Sequence, residues 1–97
     1  MIRNQKLTAL VRGRSILGVD TDGTTVRVRF DDGSIMTVLS DGSAPTGEHA
    51  GTVAVVRQEN VTLMFEFDDG NTLSLHTAEP TASVMVRDKA QRFEYAD

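Results

Sequence analysis

Apolar and polar residues alternate along most of this chain. Residues 26–30 read Val-Arg-Val-Arg-Phe, residues 63–67 read Leu-Met-Phe-Glu-Phe, and Asp-Asp-Gly follows each run. Strict alternation predicts a strand with one face on a core, and Asp-Gly at its end predicts a hairpin turn. A second short alternating run follows each turn. The pattern therefore predicts two β-hairpins.

Two turn geometries fit these hairpins, and the hydrophobic pattern favours one of them. A two-residue turn would place Val28 opposite Thr37, which mixes apolar and polar side chains on each face. A three-residue loop with Gly33 in a left-handed bulge places Val28 opposite Met36 instead. The same loop in the second hairpin places Phe65 opposite Leu73. We therefore predict the three-residue loop in both hairpins.

The hairpins belong to a longer internal repeat. Residues 15–39 align with residues 52–76 at an offset of 37, with six identical positions. Each copy predicts three antiparallel strands joined by short turns. Two copies are too few for a solenoid. We expect two three-stranded meanders that pack as pseudo-symmetric halves of one core.

The two ends of the chain predict smaller elements. Residues 4–11 have apolar residues at helical spacing, and Asn4 is a suitable N-cap. So short a segment predicts one or two helical turns, with an edge strand as the alternative. Residues 83–95 predict a third hairpin with its turn at residues 88–91. Its apolar face is expected to carry Val84 and Val86 on one strand, and Phe93 and Tyr95 on the other.

Together these elements predict a single all-β domain over residues 1–97. We expect a small antiparallel barrel or sandwich of about eight short strands, with a possible helical turn at the start. Residues 40–50, dense in turn-forming residues, are expected to form the longest and most mobile loop.

The charge distribution restricts the class of partner. The net charge is −4, yet residues 1–14 contain four basic side chains and no acid, so the rest of the chain is strongly acidic. An acidic body argues against nucleic acid as a partner. No apolar run is long enough to span a membrane, and no signal-peptide core precedes the domain. We therefore expect a cytoplasmic protein with no membrane partner.

No set of residues predicts catalysis. Turn formation explains the paired aspartates, and no glycine-rich phosphate loop occurs. The chain has no cysteine and only two histidines, His49 and His76, without an orienting acid or an oxyanion site. We expect no enzymatic activity, no cofactor and no metal.

The outward faces of the two hairpins are half apolar, which predicts that something covers them. The C-terminal hairpin could cover them within the chain, or a second subunit could do so. Opposite charges at the equivalent positions 29 and 66 could pair the two halves or two chains. Arg12 and Arg14 could also join the hairpin arginines in a positive patch. The candidate contact residues are Arg27, Arg29, Ile35, Leu39, Met64, Glu66 and His76.

Three hypotheses about function follow. The first is a non-enzymatic binding module that forms a homo-oligomer through a sheet face or binds another protein. The second is an acidic inhibitor or accessory protein that docks on a basic, nucleic-acid-handling enzyme. The third is a small-ligand binder that uses the 40–50 loop and His49. No characterised family is recognised in the sequence.

Overall fold

The computed structural model describes residues 1–49, 51–81 and 83–97. In this part of the chain, ten strands and one helix follow one another. Their bounds are β1 Ile2–Arg3, α1 Gln5–Val11, β2 Ile16–Asp22, β3 Thr25–Phe30, β4 Ile35–Leu39, β5 Thr46–Gly47, β6 Val53–Glu59, β7 Thr62–Phe67, β8 Thr72–His76, β9 Val84–Arg87 and β10 Phe93–Ala96. Eight of the strands coincide with the predicted ones, and the two-residue strands β1 and β5 are additional.

The strands form two antiparallel sheets of five. The first-repeat sheet has the order β10-β9-β4-β3-β2, and the second-repeat sheet has the order β1-β6-β7-β8-β5. Isolated bridges join Ser15 to Thr52 and Ser40 to Thr77. Both bridges link positions separated by the repeat offset, so the halves are related by a pseudo-two-fold axis. The all-β prediction is confirmed, and the barrel is not closed.

The bulged hairpin loops are confirmed in both repeats. Val28 pairs with Met36, and Phe65 pairs with Leu73. Gly33 and Gly70 both have φ of +88°, a backbone conformation that side chains other than glycine rarely adopt. The apolar positions of both hairpins therefore point into the space between the sheets. The buried apolar residues there are Val26, Val28, Phe30, Met36, Val38, Val53, Val56, Leu63, Phe65, Phe67, Leu73 and Leu75.

Helix α1 lies against β6 and closes one side of the core. The Asn4 side chain accepts a hydrogen bond from the Leu7 N–H at 3.0 Å, as an N-cap does. Leu7 and Val11 are fully buried. The helical alternative is therefore confirmed, because docking of this apolar face compensates for the weakness of a two-turn helix.

Thr8 anchors the helix to the sheet. Its buried hydroxyl accepts a hydrogen bond from the Val56 N–H at 2.9 Å and donates one to the Val56 carbonyl at 3.1 Å. The Val56 carbonyl also accepts from the Asn4 N–H at 2.9 Å. The outward edge of β6 is thus satisfied by the N-terminal segment.

The C-terminal hairpin does not cover the outer faces of the other hairpins. Strand β9 pairs with β4 and widens the first-repeat sheet, with Val84 and Val86 in the core. The prediction that Phe93 and Tyr95 share a face is wrong. A register shift between them leaves Tyr95 against the core and turns Phe93 outward, where 61% of it is exposed.

The 40–50 segment is partly ordered by pairing. Thr46 pairs with Ser74 and Gly47 with Leu73, so β5 extends the second-repeat sheet at β8. A side chain at Gly47 would collide with the carbonyl of Thr72, which explains glycine at this position. Residue 50, at the end of the predicted loop, lies outside the described residues.

Candidate interaction surface

The structure places the seven candidate contact residues on two opposite outer faces. Within each strand they alternate with core residues, so each lies on the outside of its own sheet. Arg27, Arg29, Ile35 and Leu39 lie on the first-repeat sheet, and Met64, Glu66 and His76 lie on the second-repeat sheet. The seven residues therefore do not form one surface.

Arg29 and Glu66 do not pair the two halves with each other, because each forms an ion pair within its own sheet. Arg29 Nε lies 2.8 Å from Asp20 Oδ2, and Arg57 Nε lies 2.7 Å from Glu66 Oε1. Both pairs link neighbouring strands of one sheet. Positions 20 and 57 are repeat counterparts, as are 29 and 66, so the second pair repeats the first with the signs exchanged.

Arg14 does not belong to a surface patch of arginines. Its side chain is only 15% exposed and bridges Asp32 at 3.0 Å and Glu94 at 3.1 Å. It also donates to Ser34 Oγ at 2.8 Å. Desolvation opposes ionisation of Asp32, but hydrogen bonds from Ser34 and the charge of Arg14 together lower the pKa of this carboxyl. Arg14 therefore stabilises the fold by joining the first hairpin turn to β10.

An apolar patch occupies the outer face of the first-repeat sheet on β4, β9 and β10. Leu39 is 47% exposed and Phe93 is 61% exposed. The guanidinium of Arg87 stacks on Phe93, with its Cζ 4.2 Å from the ring centroid. The members of this apolar patch are Ile35, Leu39, Met85, Phe93 and Ala96.

A shallow concavity of about 140 Å³ lies within the apolar patch. It is lined by Thr37, Leu39, Ser83, Val84, Met85, Ala96 and Asp97. The equivalent outer face of the second repeat is more polar, because His76 replaces Leu39 and Thr72 replaces Ile35. The two repeats share a core pattern but differ in what they present to solvent.

A second concavity, of about 340 Å³, lies where the chain ends meet the 79–81 turn. Its central polar groups are already paired, since Asn4 Nδ2 donates to Gln58 Oε1 at 2.9 Å and to the Tyr95 hydroxyl at 3.2 Å. Neither concavity is lined by His49. The geometry therefore gives the 40–50 loop no ligand cavity in either place.

The titratable residues are dispersed. Across residues 1–49, 51–81 and 83–97, no group of three or more His, Asp or Glu side chains could hold a metal ion. Hydrogen bonds from Ser43 lower the pKa of Asp41, as expected for a carboxylate that caps a turn. No helix in the same residues is long and apolar enough to cross a membrane.

The fold and surface define this chain as an antiparallel all-β protein with an apolar patch on one outer face. Comparison with protein-family models, with curated proteins and with solved structures finds no match to it.

Sequence reasoning missed three members of the apolar patch. Met85 follows Val84 in an alternating strand, so its outward position could have been derived from the pattern. The outward turn of Phe93 depends on the bulge in β10, for which the sequence has no signal. Ala96 then joins the patch because the same bulge places it opposite Met85.

Proposed function

We propose that this chain is a non-enzymatic binding module that self-associates through the outer face of the first-repeat sheet. The observation that supports this proposal is the apolar patch. Leu39 and Phe93 leave large apolar surfaces in water, and Met85 and Ala96 continue that surface across β9 and β10. Exposed apolar groups that adjoin one another on a sheet are typical of protein contact sites.

A second copy of the chain suits this face electrostatically. Asp20 and Asp22 lie on β2 at one side, Arg27 and Arg29 lie beside them on β3, and Arg87 lies on β9. A face that carries both positive and negative charges can be complementary to itself across a two-fold axis. In such an interface, if one residue contacts a second residue of the partner, the partner's copy of the first contacts the second residue in return. In such a dimer the apolar patch supplies the contact that is removed from water, and the charged residues of β2 and β3 lie at one side of it.

The size of the face predicts weak association. Five strands spaced about 4.8 Å apart and five residues long cover roughly 400 Å² in projection. Stable interfaces bury about 800 Å² of accessible surface on each partner. We therefore expect a monomer–dimer equilibrium with a dissociation constant of roughly 10 μM to 1 mM.

Sedimentation equilibrium from about 10 μM to 1 mM tests this proposal, with Leu39→Glu as the disruptive variant. Burial of the exposed part of Leu39 contributes about 1.5–2 kcal/mol, so its loss raises the dissociation constant at least about tenfold. Ile2→Glu is the matched control, because Ile2 is 77% exposed but lies on the other sheet. A wild-type monomer throughout this range, or equal effects of both variants, would refute self-association through this face.

A further inference from the structure

The two repeats differ at one edge. Strands β2 and β6 are repeat counterparts, and each is joined to the central strand of its meander. The other edge of β6 is covered, because Ile2 pairs with Gln58 and Arg3 pairs with Arg57, while α1 lies on Val56. Strand β2 ends its sheet, and no strand in the part of the chain that the structure describes pairs with its outer edge.

The open edge of β2 presents unpaired backbone groups. The Phe30 N–H donates to the Ser34 carbonyl. Because backbone groups alternate in direction along a strand, Val26, Val28 and Phe30 all point their N–H and C=O groups toward β4. The intervening residues of β3 point toward β2 and pair with Gly18, Asp20 and Asp22. The N–H and C=O groups of Val19 and Thr21 therefore point away from β3, where a further strand would bind.

The side chains along this edge are also less covered than their counterparts. Val56 is fully buried beneath α1, whereas Val19 is only partly buried. Leu17, on the same strand, is 63% exposed. The first repeat thus lacks what residues 2–14 supply to the second repeat: a strand on the open backbone and an apolar cover for the valine.

The charge of the edge selects the kind of segment that fits. Asp20 stands where β6 has Arg57 and is already paired with Arg29 on the outer face, whereas Asp22, on the same strand, is exposed. Antiparallel pairing of two β2 strands centred on Asp20 or Thr21 sets aspartates directly opposite one another, which is destabilising. Pairing centred on Val19 avoids this, so a second copy of β2 is the competing occupant that the experiment must distinguish. A segment with a basic side chain opposite Asp22 meets this carboxylate favourably.

We propose that the open edge of β2 binds an extended, basic segment of a partner protein as an added antiparallel strand. Main-chain hydrogen bonds from Val19 and Thr21 hold the segment, and a basic side chain of the segment lies against the exposed Asp22. This site is separate from the apolar patch, because β2 and β10 are the opposite ends of the sheet, but Asp22 also belongs to the charged part of the proposed dimer face.

A titration followed by backbone amide NMR tests this proposal, with a synthetic peptide of residues 1–14 as the probe. This peptide is basic and has the sequence that covers the equivalent edge of β6. Addition up to about 1 mM should shift the amide signals of residues 17–22, as strand addition requires. Shifts confined to residues 53–59, or no shifts, would overturn the proposal.

Thr21→Pro removes one outward N–H without breaking a bond to β3 and should abolish the shifts. Thr21→Val keeps that N–H and is the matched control. Asp22→Lys reverses an exposed charge and should weaken binding by roughly twofold to fivefold at low salt, which tests the proposal even where the proline variant is unfolded. The proposal is contradicted if neither Thr21→Pro nor Asp22→Lys changes peptide binding. It is also contradicted if the protein alone forms a dimer that Thr21→Pro dissociates, because the edge would then bind a second copy of β2.

Discussion

Replacement of Thr8 by valine isolates one buried hydrogen-bond pair. The two side chains have nearly the same shape, and threonine and valine differ little in helix propensity. The change removes the acceptor of the Val56 N–H, which lies in the interior at the junction of α1 and β6. The Val56 carbonyl keeps its bond from the Asn4 N–H at 2.9 Å, so the variant leaves a single buried group without a partner.

The expected magnitude follows from two opposing terms. A buried N–H without an acceptor costs about 1–3 kcal/mol. The added methyl group contributes about 0.8 kcal/mol in the opposite direction. We therefore expect Thr8→Val to lower the free energy of unfolding by about 0.2–2 kcal/mol, or the urea midpoint by up to about 1 M.

Urea unfolding monitored by circular dichroism at pH 7 measures this difference. Thr8→Ser keeps the hydroxyl and should lose only the contribution of the methyl group, about 1 kcal/mol. The sign of the change in unfolding free energy of Thr8→Val decides whether the Thr8 hydroxyl stabilises the fold. If Thr8→Val is as stable as the wild type or more stable, the hydroxyl contributes nothing and the account of the α1–β6 junction is wrong.

Two further predictions concern the hairpin turns. Gly70→Ala should destabilise the fold by about 1–2 kcal/mol, and Gly70→Asn by less, because the residue has φ of +88° and no atom lies near the added carbon; equal urea midpoints would contradict this. The lowered pKa of Asp32 means that its carboxylate stabilises the fold above the unfolded pKa of about 3.9, and that this contribution disappears as the pH falls through the lower folded pKa. Asp32→Asn should therefore reduce stability at pH 7 by up to about 1 kcal/mol and have no effect near pH 2; a constant difference across this range would refute the pKa argument.

Local patterns were sufficient to predict most of the fold. The pairing of Val28 with Met36 follows from keeping apolar side chains on one face, and the same reasoning holds for Phe65 and Leu73. Asn4 marks the start of α1 because its side chain satisfies a backbone N–H that the helix itself leaves unpaired.

The remaining features depend on contacts between distant segments. The bulge that exposes Phe93 arises from the pairing of β10 with β9, and no residue near it marks a register shift. Strands β1 and β5 are two residues long, too short for alternation to be recognised. The position of the C-terminal hairpin beside β4 depends on strand order, which the alternation of side chains does not specify. Two of the five members of the apolar patch, Ile35 and Leu39, were therefore predicted.

The exchanged signs of the two ion pairs discriminate between correct and incorrect strand partners while the chain folds. The repeats are similar enough that β2 could align with β7, or β6 with β3, in the same register. The first error would bring Asp20 to Glu66 and the second would bring Arg57 to Arg29, so each would set like charges together. The opposite placement of the charges in the two meanders therefore disfavours exchange of strands between them, within one chain or between two.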